Sequence, residues 1–207
     1  MCDYKDKISI AVQDGLRAVD QLLKEENLDF IERCAHMISE CFKKGGKIII
    51  AGNGGSLCDA MHFAEELSGQ YREARPALPA MALSDAALMS CTANDYSYEK
   101  VFSRGVEAFG RPEDIFIGLT TSGNSPNIIE AVKTAKRMNM QTIAFLGKTG
   151  GVLKGMCDLE LMIEGFYYSD RIQEAHMTAI HIIIEIIEDI MMPIFKQSEE
   201  IEVCQVN

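Results

Sequence analysis

"KIIIAGNGGSLCDAMHFAEE", residues 47 to 66, decides the fold. Three consecutive isoleucines between a lysine and an Ala-Gly pair read as a short strand buried on both faces, as in a parallel sheet, where apolar runs are continuous rather than alternating. The glycines that follow make a turn with free backbone N–H groups, and Ser56 is placed to cap the helix that comes next. That helix carries His62, Glu65 and Glu66, a possible metal ligand and a possible base directly above a side-chain-free turn.

Working outward, four more short apolar runs bounded by glycine, proline or acidic residues read as strands: "PAMALS" (79 to 84), "DIFIGLT" (114 to 120), "QTIAFLG" (141 to 147) and "DLELMIE" (158 to 164). Helical stretches separate most of them, at 56 to 71, at 86 to 108 with a break, and at 125 to 139. Alternating strands and helices predict a parallel sheet covered by helices on both faces. Ahead of the sheet, residues 4 to 25 and 28 to 44 read as amphipathic helices. Ile8, Val12, Leu16 and Val19 lie on one face of the first, and Ile31, Cys34, Ile38 and Phe42 on one face of the second, as ordinary packing surfaces. Residues 169 to 196 form a last helix, apolar around much of its circumference in "AIHIIIEIIEDIMM". A helix apolar on several sides predicts burial by more than its own sheet, including subunit contacts.

Length and charge bound the function. A chain of 207 residues carries one substantial core. The organisation expected is an N-terminal helical extension over 1–45, a ligand-binding domain over 46–196 and a tail over 197–207. A formal net charge of −11 excludes a general affinity for nucleic-acid backbones, which rests on Lys and Arg. The N-terminal "MCDYKDKISIAVQDG" has no long apolar run and reads as neither signal peptide nor anchor. His181, Glu185, Glu188, Asp189 and Pro193 interrupt the apolar C-terminal region, so no membrane partner is expected. The seven cysteines form no C-x-x-C pair, and they read as reduced, mostly buried thiols of a cytoplasmic protein.

In such a sheet ligands settle beyond the carboxyl ends of the strands. Two loops there have the chemistry for an anion: "GNGGS" (52 to 56) and "LTTSGNSPN" (119 to 127). The second sets Thr120, Thr121, Ser122 and Ser125 around Gly123, with Pro126 at a first helical turn. One cap needs one hydroxyl, and this loop offers four. Hydroxyls and free N–H groups at a helix N-terminus bind phosphate. Neither loop follows the P-loop or G-x-G-x-x-G pattern, which points to a small phosphate ester and away from a nucleotide.

These two loops on their strands resemble the sugar isomerase (SIS) domain, which binds phosphosugars. Within it, "CDAMHFAEELSGQY" (58 to 71), "ANDYSYEKVFSR" (93 to 104) and "DRIQEAHMTAIH" (170 to 181) are similar to the sedoheptulose 7-phosphate isomerases, over roughly residues 5 to 192. The resemblance implies a flavodoxin-like, three-layer α/β/α sandwich with a five-stranded parallel sheet. It also implies N- and C-terminal oligomerisation helices and a homotetramer with active sites near subunit interfaces. The activity implied converts sedoheptulose 7-phosphate to D-glycero-D-manno-heptose 7-phosphate, the first step toward activated heptose for lipopolysaccharide, capsule or surface glycan.

Ketose–aldose isomerisation requires a base, an acid and a group to polarise the carbonyl. The resemblance assigns the base to Glu66 and its proton-transfer partner to His181. It assigns zinc to His62, Glu66, Gln173 and His181. It places Asn53, Gly54 and Gly55 at the substrate, Ser56, Thr120, Thr121, Ser122 and Ser125 around the phosphate and nearby oxygens, and Asn94 and Asp95 on sugar hydroxyls, with Asp170 and Gln173 as further contacts. By spacing alone, His62 and Glu66 share a helical face, which an ordinary hydrogen-bonded i, i+4 pair also does. His181 lies in an isoleucine-rich face and could equally be a core histidine, while Glu65, Glu174 and His176 read as neighbours or packing. The chain departs from these isomerases at Gln70, where arginine is common, at Thr120, where serine is usual, and at Leu57, where histidine is frequent. Relatives that sense phosphosugars, or that bind a replication initiator as non-catalytic tetramers, are the alternative class; presence of His62, Glu66, Gln173 and His181 together argues for an enzyme.

Overall fold

The apolar runs pair as five parallel strands in a computed structural model that describes the backbone of residues 4–205 and the side chains of residues 4–196. The strands are β1 (Ile48–Gly52), β2 (Ala80–Ala82), β3 (Ile115–Thr120), β4 (Gln141–Gly147) and β5 (Leu159–Ile163), in the order β2-β1-β3-β4-β5. The helices are α1 (Lys5–Asp20), α2 (Glu25–Lys43), α3 (Gly55–Ser68), α4 (Ala86–Asp95), α5 (Val101–Phe109), α6 (Pro126–Arg137) and α7 (Ser169–Gln205). The break expected near the middle of residues 86 to 108 is real and holds a 3₁₀ turn over Tyr98–Lys100.

Period-two alternation sorts the strand side chains into two cores. Ile48, Ile50, Ile115, Ile117, Phe145 and Leu161 face α2, α3 and α7, whereas Ile49, Ala51, Phe116, Ala144 and Leu146 face α5 and α6. The three-layer α/β/α sandwich is thus built from the pleat of strands buried on both sides. Each isoleucine removed from water in this way contributes about 1.5–3 kcal/mol. Because β2 and β3 flank β1 on opposite sides, the chain reverses its direction of travel across the sheet between β1 and β3. The loops after those two strands therefore diverge and leave a crevice at their carboxyl ends.

Two elements, α1 and the C-terminal part of α7, differ from the expectation. The face of α1 read as a packing surface is largely open: Ile8, Val12 and Leu16 are 58–66% exposed, while Ala18 is the residue of α1 that is fully buried. The burial of α7 by more than its own sheet is met within the chain, since α1, α2 and α3 all pack on it and Ile180, Ile183, Ile184 and Ile187 belong to one core. The last helix also continues through Pro193 to Gln205, so residues 197–205 are helical; the remainder of the expected tail lies outside the described residues. Of the cysteines with described side chains, Cys34 and Cys41 are buried and Cys157 half-buried, whereas Cys58 and Cys91 are exposed, fewer buried thiols than expected. Cys2 and the side chain of Cys204 lie outside the described residues. None of the described helices is long and apolar enough to cross a membrane.

His176 is a fully buried member of α7. Its Nε2 lies 3.0 Å from the Leu146 carbonyl, which can only accept, so Nε2 carries the proton and the buried Nδ1 is left without a partner. Burial pushes its pKa down from 6.5 to about 4, against the smaller effect of the Leu146 hydrogen bond. The folded state therefore holds the imidazole neutral where the unfolded chain takes up a proton, and stability falls as pH drops from about 6.5 toward 4. Urea unfolding at pH 7 and pH 4.5 is expected to show an acid loss that is about 2–3 kcal/mol smaller in His176→Gln than in the parent.

Candidate active site

The two loops that sequence analysis singled out meet at the crevice. After β1, Asn53 and Gly54 turn the chain into α3, and after β3 residues 121–125 lead into α6. A cavity of about 130 Å³ lies between them, lined by Asn53, Ser56, Thr120, Thr121, Ser122 and Ser125, with Leu119 below and Ser169 and Gln173 arriving from the start of α7. Six of the residues expected at the phosphate or substrate thus share one polar hollow with Gln173.

Close approach explains the glycines at its edge. A Cβ on Gly55 would come within 2.7 Å of the Gln173 carboxamide, which lies over the first turn of α3 and donates to Ser56 Oγ at 3.2 Å. Gly123 has φ +65°, and a Cβ there would sit 1.7 Å from the Gly150 carbonyl oxygen. Each turn accepts glycine because another chain segment occupies the space of a side chain.

Apart from Ser122 Oγ, which accepts from the Asn124 backbone N–H at 3.2 Å, the hydroxyls are not spent on the backbone. Ser125 holds the N-cap position of α6, yet its side chain makes no capping bond; Ser125 Oγ and Thr120 Oγ1 lie 3.0 Å apart. Thr121 Oγ1 is 2.9 Å from Ser169 Oγ, a partner the sequence did not reveal. Ser56, expected as a cap, lies inside the first turn of α3, where Gly54 is the N-cap residue. Asn53 exchanges two 2.9 Å amide hydrogen bonds with buried Asn127, and its Oδ1 also accepts from Tyr98 Oη at 3.1 Å. Its side chain is held by neighbours on two elements, α6 and the 3₁₀ turn.

Along α3 and α7 lies a second cluster. His62 Nε2 is 3.0 Å from Glu66 Oε1 and 3.4 Å from His181 Nε2, and one potential ligand atom from each of the three residues falls within 4.8 Å of the others. Two imidazole nitrogens and a carboxylate oxygen converging in this way repel unless a proton or cation lies between them. Tetrahedral zinc with bonds of about 2.0–2.1 Å sets its ligands about 3.3 Å apart, so the donor set and its spacing fit that ion. Burial first, and then neighbouring His62, lower the pKa of His181 and keep its ring toward the neutral form. Asp59, one turn before His62, went unremarked in the sequence; burial raises it to about 6, against the opposing pull of His62, and its Oδ2 is buried without a partner.

Other expected contacts stand apart in the single chain. Asn94 and Asp95 end α4 on the surface, bonded to each other at 2.7 Å. Asp170 accepts from the Arg171 backbone N–H and lies in a cleft with Lys7 and Arg17, away from the hydroxyl-lined hollow. Gln173 lies in the hollow, so the structure places it with Ser56 on the anion side while His62, Glu66 and His181 form the compact triad.

Comparisons with known proteins give the chain its family. A family model described as the SIS domain matches residues 13–147. The chain is 48% identical over 190 residues to a phosphoheptose isomerase from Serratia proteamaculans (strain 568), covering 91% of this chain and 98% of that protein. The structure of phosphoheptose isomerase GmhA from Neisseria gonorrhoeae matches with a TM-score of 0.83 at 34% identity, covering 90% of this chain and 100% of that one. A phosphoheptose isomerase from Francisella tularensis matches with a TM-score of 0.85 at 33% identity, covering 91% and 100%. The chain belongs to the SIS domain family and, within it, to the phosphoheptose isomerases.

Because the Ser125 side chain caps nothing, Ser125→Ala is expected to leave the melting temperature within about 2 °C, where loss of a working cap costs about 1 kcal/mol. Calorimetric titration with inorganic phosphate is expected to show binding about tenfold weaker, the scale of one hydrogen bond to a charged ligand.

Proposed function

We propose that the chain is a phosphoheptose isomerase that converts sedoheptulose 7-phosphate to D-glycero-D-manno-heptose 7-phosphate, the first step toward activated heptose for lipopolysaccharide, capsule or surface glycan. The observation that carries this reading is the distance between two chemistries on one pair of helices. Gln173 at the anion hollow and His181 in the acid–base cluster are eight residues apart on α7, about 12 Å along its axis. That separation suits an extended sugar phosphate whose reacting carbons lie far from its phosphate.

The phosphate sits in the hollow, taking hydrogen bonds from Ser56, Thr120, Ser122 and Ser125. Glu66 removes a proton from C1 of the ketose, the electron pair forms the C1–C2 double bond, and the C2 oxygen gains a proton. His181 is the partner that supplies and removes protons at the two oxygens, and the enediol collapses when C2 takes up a proton and C1 becomes the aldehyde carbon. A neutral imidazole can accept as well as donate, which this relay requires. His62, Glu66 and His181 would hold zinc, and such an ion would supply positive charge that stabilises a developing oxyanion.

A homotetramer with sites near subunit interfaces accounts for two further features. Tyr4, just ahead of α1, and Ile8, Val12 and Leu16 on it expose a run of apolar surface. Asn94, Asp95 and Asp170 lie outside the hollow of their own chain, where a neighbour's site would use them. The enzyme is read as cytoplasmic, where its sugar phosphate substrate is made.

In deuterated water, NMR of the reaction is expected to show aldose carrying deuterium at C2. Glu66→Gln should lower kcat by about 10²–10⁴ with an unchanged circular dichroism spectrum; full turnover would remove Glu66 as the base. Elemental analysis of protein purified without chelator is expected to give about one zinc per chain, lost in His62→Ala, and a metal-free preparation at full activity would eliminate an essential ion.

A further inference from the structure

Between α3 and β2, residues 69–79 form a strap that lies along α7 and touches it at successive turns. The Tyr71 ring stacks on His181, with centroids 5.8 Å apart and planes at 23°. Arg72 pairs with Glu185 and sits 5.2 Å over the Tyr71 ring. Arg75 Nε donates to Glu188 Oε1 at 2.8 Å. Positions 181, 185 and 188 share one face of the helix, so the strap follows a single stripe.

Arg75 differs from the other two contacts in its burial. Its side chain is 0% exposed and that of Glu188 is 5% exposed. The same guanidinium donates through Nη2 to the Glu66 carbonyl at 2.8 Å, and through Nη1 to the Leu67 carbonyl at 2.8 Å and the Pro76 carbonyl at 3.2 Å. Glu66 and Leu67 lie in the last turn of α3, where carbonyls lack intrahelical partners. One planar group therefore ties the end of α3 to α7 and to the strap. A buried ion pair is a poor source of stability, because desolvation cancels most of its attraction, but its fork geometry fixes orientation closely.

We propose that Arg75 is a positioning residue of the isomerase site, holding the end of α3 that bears Glu66 against the face of α7 that bears His181. The inference rests on the reading of Glu66 and His181 as the reacting pair. Because the anion hollow lies at the first turns of α3 and α7, and Arg75 contacts the last turn of α3 and the middle of α7, loss of Arg75 should disturb the proton-transfer geometry and spare phosphate binding.

Two variants test it, each compared with the parent for melting temperature, turnover of sedoheptulose 7-phosphate, and imidazole ring NMR. The double substitution Arg75→Met, Glu188→Met removes both charges and refills their space, an exchange that usually preserves stability. Arg75→Lys keeps the charge beside Glu188, but an ammonium lacks the planar fork that reaches the Glu66 and Leu67 carbonyls together. Both are expected to fold, to lose at least about tenfold in kcat with KM changed by less than about twofold, and to shift the ring signals of His62 and His181. A folded variant with kcat within about twofold of the parent and unmoved ring signals overturns the proposal, as does failure of both variants to fold, which would make the pair a stability element. A parent without turnover would defeat the isomerase reading instead, and the ring signals would still decide whether Arg75 positions the two helices.

Discussion

The parallel packing of α3 against α7 is the constraint on which the site depends. Both helices follow parallel strands on the same face of the sheet, and three levels of contact join them. Gln173 lies on Gly55 and Ser56 at the first level, and His181 faces His62 at the second. At the third, Arg75 links the Glu66 and Leu67 carbonyls to Glu188. Advancing seven or eight residues on each helix between the first two levels keeps the same faces opposed, since about 3.6 residues make a turn. Anion hollow and acid–base cluster are thereby set at a fixed separation by two rigid rods.

At the hollow, polar groups are mostly bonded to one another rather than used up in holding the backbone. The Thr120–Ser125 and Thr121–Ser169 hydroxyl pairs can each turn outward toward an anion without breaking a cap or a turn. Asn53 is different: Asn127 and Tyr98 hold its amide, so it is a preset wall of the crevice. Pre-set donors bind and stabilise charge at less cost in reorganisation than mobile ones.

The sheet was legible because a strand buried on both faces leaves a continuous apolar run, and all five runs from "KIIIAG" to "DLELMIE" became strands. Hydroxyl density around Gly123 located the anion loop for a similar reason, since four hydroxyls exceed what one helix start requires. Ser56 was misread as a cap because a serine beside a glycine turn serves in the cap or in the first turn with little change in sequence. The open face of α1 shows the same limit: amphipathic periodicity reveals that a face is apolar, not what covers it.

By itself, the sequence determined the strand–helix alternation, the two loops at the carboxyl ends of β1 and β3, and the residue types available for proton transfer and metal binding. These depend on local period and composition, which the chain carries residue by residue. Only the tertiary structure decided that His62, Glu66 and His181 converge, that Asp59 Oδ2 is buried without a partner, that Gln173 reaches the anion hollow, and that Arg75 bridges α3 to α7. Each of those joins segments up to 119 residues apart or depends on burial beneath them. Their separation in space is set by the crossover of parallel strands and the packing of helices, which no local pattern in the chain encodes.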